Sequence, residues 1–320
     1  MTPGQDEFDL IGALAARFAS GAGLAPGDLG IGDDAAVVTL TGPDRVVLAT
    51  DLVVEGVHVD PSISSPEDIG WKALMVTVSD LAAMGCAPSH VLLSVAAPPG
   101  FAVERLGAGV AEAAGAAGCA VVGGDLSSST LLVVSVVAVG PAVDEEVAVL
   151  TRAGALPGDH LFVTGPLGAS AAGLRLLGER TPDASWDGPE DPPSPWSAHR
   201  RPVARIREGV TARAASASAC IDVSDGLTAD IGHLADQSGV GLDLVVDDAA
   251  VADGATRDEA LHGGEDYELV IATPDPDRLR AAFARAGLRA PLAIGRCAEE
   301  ATGRSLDGEP LATGGWRHRF

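Results

Sequence analysis

The spacing of apolar residues changes along the chain, and each change marks an element. Phe8, Ile11, Leu14, Ala15 and Phe18 recur at helical spacing and predict a short helix over 7–19, followed by a loop over 21–32. Short β-branched runs bounded by turn residues then predict strands over 35–40, 45–50, 90–96, 120–122 and 131–139. Alanine-rich stretches between them predict helices over 66–84 and 103–117. Near residue 150 the texture resets, and the turn-rich Leu150-Thr-Arg-Ala-Gly-Ala-Leu-Pro-Gly-Asp159 leads into a strand expected over 161–164. A helix over 169–177, a strand-turn-helix unit over 219–235, strands over 242–246 and 268–273, a helix over 277–286 and a strand over 292–295 follow. The expected fold class is α/β (α+β) in two domains, 1–150 built on a mixed sheet and 151–320 on a second α/β layer. The Pro-, Asp- and Ser-rich segment 181–197 reads as a solvated surface loop.

Composition narrows the function classes. The 320 residues include 45 Asp or Glu against 21 Lys or Arg, a formal net charge of -24. Such a balance repels phosphate backbones and anionic bilayers, which argues against a nucleic-acid or membrane partner. The longest apolar stretch, around 131–139, is far shorter than the ~18 residues that span a bilayer, and Met-Thr-Pro-Gly-Gln-Asp-Glu at the N-terminus lacks an apolar h-region. Cys86, Cys119, Cys220 and Cys297 stand alone, without C-x-x-C or histidine at ligand spacing. Reduced, mostly buried thiols in a cytoplasmic protein are therefore expected, not a zinc site or a disulfide framework. Lys72, the one lysine, sits in Gly-Trp-Lys-Ala-Leu, and no Walker P-loop surrounds it.

The placement of the acid is the informative feature. Aspartates recur at the ends of strand-like runs: Gly30-Ile-Gly-Asp33-Asp34, Val46-Val-Leu-Ala-Thr50-Asp51, Val121-Val-Gly-Gly-Asp125 and Cys220-Ile-Asp222-Val-Ser224-Asp225, with Asp80 in Val78-Ser-Asp as a fifth. A carboxylate at the mouth of a buried strand is costly unless a cation or donor compensates it. Basic side chains are too few to pair them all, and oxygen ligands without His or Cys point to Mg2+. Gly32, Gly123, Gly124, Gly226, Gly263 and Gly264 would let backbone approach a bulky anion. Any single aspartate, Asp33 or Asp230 for instance, also reads as a helix cap or turn residue. The collection points to phosphate chemistry through metal. A weak internal echo joins Val78-Ser-Asp-Leu-Ala-Ala-Met-Gly85 to Val223-Ser-Asp-Gly-Leu-Thr-Ala-Asp-Ile-Gly232, each reading as a Ser-Asp turn or N-cap that opens a helix.

Ile31-Gly-Asp-Asp34, Thr50-Asp51, Val54-Glu-Gly-Val-His58, Val78 to Gly85, Gly123-Gly-Asp125, Thr151-Arg152, Asp222-Val-Ser-Asp-Gly-Leu227 and Gly263-Gly-Glu-Asp-Tyr-Glu-Leu269 occur in order along the chain. Together they resemble the motif set of the thiamine-monophosphate kinases, within the aminoimidazole-ribonucleotide-synthetase-like superfamily, over essentially the whole chain. The resemblance implies an N-terminal domain that dimerises through its sheet, giving a homodimer, a C-terminal α/β domain, and ATP held between them by several Mg2+ ions. It implies that Asp34, Thr50, Asp51, Asp80, Asp125, Asp222 and Asp225 bind metal. Gly124, Asp125, Arg152 and Ser224 would meet ATP, and His58, Glu265 and Trp316 thiamine monophosphate. The preference for Asp34 over Asp33 comes from the family alone. Ala49 and Val59 stand where relatives often have Ser and Phe.

The implied reaction moves the γ-phosphoryl of ATP onto the phosphate of thiamine monophosphate. An acceptor phosphate with a second pKa near ~6 is already ionised at pH 7, so no general base is expected. Metals would supply charge neutralisation and in-line alignment. Read without the family, His58 is equally a locally satisfied histidine, Arg152 a surface arginine, Glu265 a turn carboxylate and Trp316 an anchor for the tail. The alternative function is another ATP-using enzyme of the same superfamily.

Overall fold

The computed structural model describes residues 28–316 except 30, 40–44, 143–147, 179–194, 302 and 313. The helix expected over 7–19, the loop residues 21–27 and 30, and residues 181–194 of the expected surface loop lie outside the described residues.

The first half forms a five-stranded mixed sheet in the order β1-β2-β5-β3-β4. Its strands are β1 (Ala36–Thr39), β2 (Arg45–Val54), β3 (His90–Ala97), β4 (Ala120–Ser128) and β5 (Val133–Pro141). β5 shows the period of two that a half-covered sheet requires, with Val134, Val136, Ala138 and Gly140 buried and Val133, Ser135, Val137 and Val139 half-buried. Helices α1 (Pro66–Ala83) and α2 (Val103–Ala117) cover the buried face. Ser65 caps α1 in a reciprocal capping box with Asp68, and Pro66 supplies the pre-set first turn. The two helices approach closely because of glycine: a Cβ on Gly70 would stand 2.1 Å from the Leu106 oxygen, and one on Gly109 1.9 Å from the Glu67 oxygen.

The second half forms a seven-stranded sheet in the order β12-β11-β8-β10-β6-β9-β7. Its strands are β6 (His160–Val163), β7 (Ala219–Asp222), β8 (Gly241–Leu244), β9 (Leu269–Thr273), β10 (Leu292–Ala298), β11 (Arg304–Leu306) and β12 (Glu309–Pro310). Helices α3 (Ala169–Gly178), α4 (Pro195–Arg200), α5 (Ile206–Ala214), α6 (Leu227–Ser238), α7 (Arg257–His262) and α8 (Pro276–Arg285) accompany it. Both faces are covered, so strand residues alternate between two cores. Leu161, Ile221 and Val270 pack with α6, while Phe162, Cys220 and Ile271 pack with Leu279 and Phe283 of α8.

α1 packs with both halves. Ala82 and Ala83, at its end, belong to the core of the second sheet, while Ala204 and Tyr267 from the second half belong to the core of the first. The mixed α/β class with two sheets is therefore as expected. Four local readings change. The expected surface loop 181–197 gives way at its end, where 195–197 open α4 and Ser197 is buried. β2 and β4 run well past the expected 45–50 and 120–122, so Thr50-Asp51 and Asp125 lie within strands, not at their ends. Pairing explains it: nine residues of β2, Val46 to Val54, match β5, and β4 follows β3 in parallel through Gly123-Gly124-Asp125 despite that polar composition. Ser79-Asp80 is helix interior, so the internal echo is one of residue type and not of local structure. All four cysteines are free thiols, with Cys86, Cys220 and Cys297 buried. Among the described residues no helix is long and apolar enough to cross a membrane.

Candidate active site

A cavity of about 740 Å3 opens where α1 passes from one sheet to the other, a volume within the roughly 300–1,000 Å3 of small-molecule sites. Eight carboxylates line it, those of Asp33, Asp34, Asp51, Asp80, Asp222, Asp225, Asp230 and Glu265, against two permanent cations, Lys72 and Arg152.

Three elements bring the acids together. Asp34 precedes β1, Asp80 projects from the interior of α1, and Asp222 ends β7. One carboxylate oxygen from each lies within 4.8 Å of the others. Burial, then Asp51, Asp222 and Asp34, push the Asp80 carboxyl well above the usual carboxylate range. Burial and Asp34 push Asp222 up to about 8 against the Ser79 hydroxyl, which donates to its Oδ2 at 2.6 Å. Burial alone raises Asp51, on β2, to about 6. Clustered acids with such proton affinity call for a cation.

The donor set fits magnesium. It consists of oxygens only, and Asp34 Oδ2 is buried without a hydrogen-bond partner among the described residues. Its other oxygen accepts from the Arg152 guanidinium at 2.8 Å. Burial opposes the Arg152 charge, but Asp34, Asp222 and Asp33 outweigh it and hold the group above its ordinary range. Asp33 is used differently: its oxygens accept the Arg152 amide at 3.2 and 3.1 Å, and Oδ1 also accepts the Asp34 amide at 3.0 Å. Geometry thus places Asp34, and not Asp33, in the acid cluster.

Ser224, Asp225 and Gly226 form the turn before α6, and the buried Asp230 carboxylate accepts all three of their amides at 3.0–3.1 Å. Asp230 organises the turn, which presents Ser224 and Asp225 to the cavity. The tail returns here as well, because the Trp316 amide donates to the Asp225 oxygen at 2.9 Å. The Trp316 side chain lines the cavity with 55% of its surface exposed.

His58, Lys72 and Glu265 also line the cavity. His58 Nδ1 accepts the Val54 amide at 3.1 Å, so the neutral ring carries its proton on Nε2. Glu265 and Tyr267 adopt left-handed backbone conformations, with φ of 65° and 51°. Bonds from the Glu265 amide to the Ser224 oxygen and from the Tyr267 amide to the Val223 oxygen hold this uncommon geometry. Thr50 lines the cavity and donates its hydroxyl to the Val136 oxygen at 3.0 Å.

Gly124 and Asp125 do not reach this cavity within one chain. They lie on β4, all of whose residues are exposed, and the pairing row Leu52-Ser135-Ser94-Asp125 sets Asp125 three strands from β2, about 14 Å at ~4.8 Å per strand. The missing side chain of Gly124 serves strand pairing, since a Cβ would stand 1.7 Å from the Leu93 oxygen. Sequence reasoning missed Lys72, His199, Ser170 and Tyr267 as lining residues. Lys72 and Tyr267 carried a signal, each being the only residue of its type; His199 and Ser170 carried none.

Comparison with known proteins matches both halves of the chain. The family profile described as AIR synthase related protein, N-terminal domain, matches residues 32–142, and that described as AIR synthase related protein, C-terminal domain, matches 157–306. Thiamine-monophosphate kinase of Bacillus subtilis (strain 168) is 37% identical over 274 residues, 82% of each chain. The protein of that name from Mycobacterium tuberculosis (strain ATCC 25618 / H37Rv) is 39% identical over 78% of this chain and 75% of its own. Among solved structures, AaThiL complexed with AMPPCP and TMP superposes with a TM-score of 0.83 at 34% identity, covering 98% of this chain and 97% of that one.

Proposed function

The chain belongs to the AIR synthase related family and, within it, to the thiamine-monophosphate kinases, and from that premise we propose that it transfers the γ-phosphoryl of ATP directly to the phosphate of thiamine monophosphate. The observation that carries the reading is the cluster of Asp34, Asp80 and Asp222, drawn from three elements onto one cavity with an orphaned oxygen among them.

Asp34, Asp80 and Asp222, with Asp51, Asp225 and the Thr50 hydroxyl alongside, would hold Mg2+, which would supply charge neutralisation and alignment for the transfer. Arg152 fixes Asp34 and adds positive charge on the nucleotide side, with Ser224 offering its hydroxyl from the turn that Asp230 holds. His58 donates from Nε2 to the acceptor phosphate. Glu265 accepts from the aminopyrimidine, and Trp316 lies against the cationic thiazolium. The acceptor arrives ionised, so none of these groups acts as general base.

Homodimerisation through the first sheet is part of the same reading. Its uncovered face and edge expose Leu52, Leu92 and Leu126 at 56%, 43% and 68%. In such a dimer Gly124 and Asp125 approach the cavity of the partner protomer, which reconciles their motif with their distance from their own. The test offers ATP and Mg2+ with thiamine monophosphate, free thiamine and aminoimidazole precursors in parallel, and identifies products. Thiamine diphosphate from the monophosphate alone is expected. Phosphorylation of free thiamine, with none of the monophosphate, overturns the reading.

A further inference from the structure

Lys72 is 2% exposed, in a chain whose other basic side chains of permanent charge are all arginine. Its ammonium lies 2.6 Å from Glu265 Oε1 and donates to the His58 carbonyl oxygen at 3.0 Å. These two contacts join α1 to the turn after β2 and to the strained turn before β9. A compact ammonium with donors in several directions can do this; the wide planar fork of arginine cannot be exchanged for it without moving both partners. Glu265 Oε2 lies 3.4 Å from His199 Nδ1, and that nitrogen also lies 3.1 Å from the Ser170 hydroxyl. Burial, with the charge of Lys72, pushes His199 down to about 4, so the ring is neutral at pH 7. Lys72 is thus the cation that opposes Glu265, in a cavity lined by seven other carboxylates.

We propose that Lys72 is a positioning residue that holds the Glu265 carboxylate by its Oε1 in the place from which it selects acceptors whose pyrimidine carries an amino group over those with an oxo group at that position. The inference rests on the reading that thiamine monophosphate lies against His58, Glu265 and Trp316. An ionised carboxylate accepts but cannot donate, so it pairs with an amino group and repels a carbonyl oxygen. Without the ammonium, the carboxylate loses the contact that fixes its Oε1 and ties it to α1 and the His58 turn. It then no longer meets the pyrimidine in one fixed orientation, and the discrimination fades.

The test compares kcat/KM for thiamine monophosphate and its 4-oxo analogue in the wild type, Lys72→Met, Lys72→Arg and Glu265→Gln. Loss of a charge-assisted contact predicts a KM for thiamine monophosphate raised about tenfold in Lys72→Met, with the KM for ATP unchanged. The amino-over-oxo preference should narrow by a similar factor. Lys72→Arg should restore part of the preference, and Lys72→Met combined with Glu265→Gln should cost no more than Glu265→Gln alone. A wild type indifferent to the oxo group, a Lys72→Met variant with unchanged preference, or full additivity overturns the proposal. Should Lys72→Met fail to fold, isotope-labelled lysine in the wild type gives one side-chain signal. Saturating thiamine monophosphate, and not ATP alone, should move it, and an unmoved signal overturns the proposal. A wild type inert towards thiamine monophosphate would instead remove the functional reading beneath it.

Discussion

Replacing Asp80 by Asn should stabilise the metal-free protein while nearly abolishing turnover. Asp34, Asp80 and Asp222 bring carboxylate oxygens within 4.8 Å of one another. Two unit charges at that distance repel by about 3.5 kcal/mol at an effective dielectric constant of ~20. The site blunts this by holding protons, since Asp222 is pushed up to about 8 and Asp51 to about 6. The net gain from removing one carboxylate is therefore smaller, roughly 1–2 kcal/mol, or a few degrees in Tm. An acid whose folded pKa lies above its unfolded value binds more protons when folded, so its contribution to stability falls as pH rises between the two values. The advantage of Asp80→Asn should accordingly grow from pH about 5 to about 8 and vanish near pH 4. Melting in EDTA across that range, repeated with a Mg2+ titration and paired with kcat, measures each part. A variant that melts below the wild type in EDTA at pH about 8, yet keeps the full Mg2+ stabilisation, would refute the reasoning.

Asp125→Asn should behave differently: its side chain lies on an exposed strand, so Tm in EDTA stays within about 0.5 kcal/mol equivalent of the wild type while turnover falls, as steady-state kinetics would show. Trp316→Ala should raise the KM for thiamine monophosphate roughly three- to thirtyfold. The main-chain bond from its amide to Asp225 survives the substitution, so a sharp loss of Tm with unchanged KM would make the residue a tail anchor instead. His199 is pushed down to about 4 by burial and Lys72. A folded pKa below the usual imidazole value of about 6.5 means stability is retained above that value and lost as pH falls towards 4, by roughly 3 kcal/mol at most. Denaturant unfolding of His199→Gln should show a shallower loss over that window, and an unchanged slope would contradict it. Leu92→Glu, on the uncovered sheet face, should shift the sedimentation of the protein towards a monomer.

Element type was legible because burial imposes a period, as in the alternation of β5 and the capping box that opens α1. Strand ends were not, because pairing partners carry β2 through Asp51 and β4 through two glycines. The chemistry of the site was readable as a surplus of aspartate, yet the choice of Asp34 over Asp33 needed the Arg152 amide, which is distant in sequence and occupies Asp33. Asp230 looked like a possible cap and turned out to bind three successive amides of the Ser224 turn. Asp125 shared the motif pattern of the metal acids, and only the strand order shows that it lies three strands away from the β2 wall of its own cavity. The Lys72 to Glu265 pair joins residues almost two hundred positions apart, a contact for which no local pattern exists.

Direct transfer to a phosphate acceptor is tested most directly by the stereochemistry at phosphorus. ATP made chiral at its γ-phosphorus, supplied with Mg2+ and thiamine monophosphate, should yield thiamine diphosphate with the configuration inverted, as a single in-line displacement requires. Net retention would show a phosphorylated enzyme intermediate, and absence of labelled thiamine diphosphate would remove the acceptor itself; either result contradicts direct transfer in the carboxylate-lined cavity.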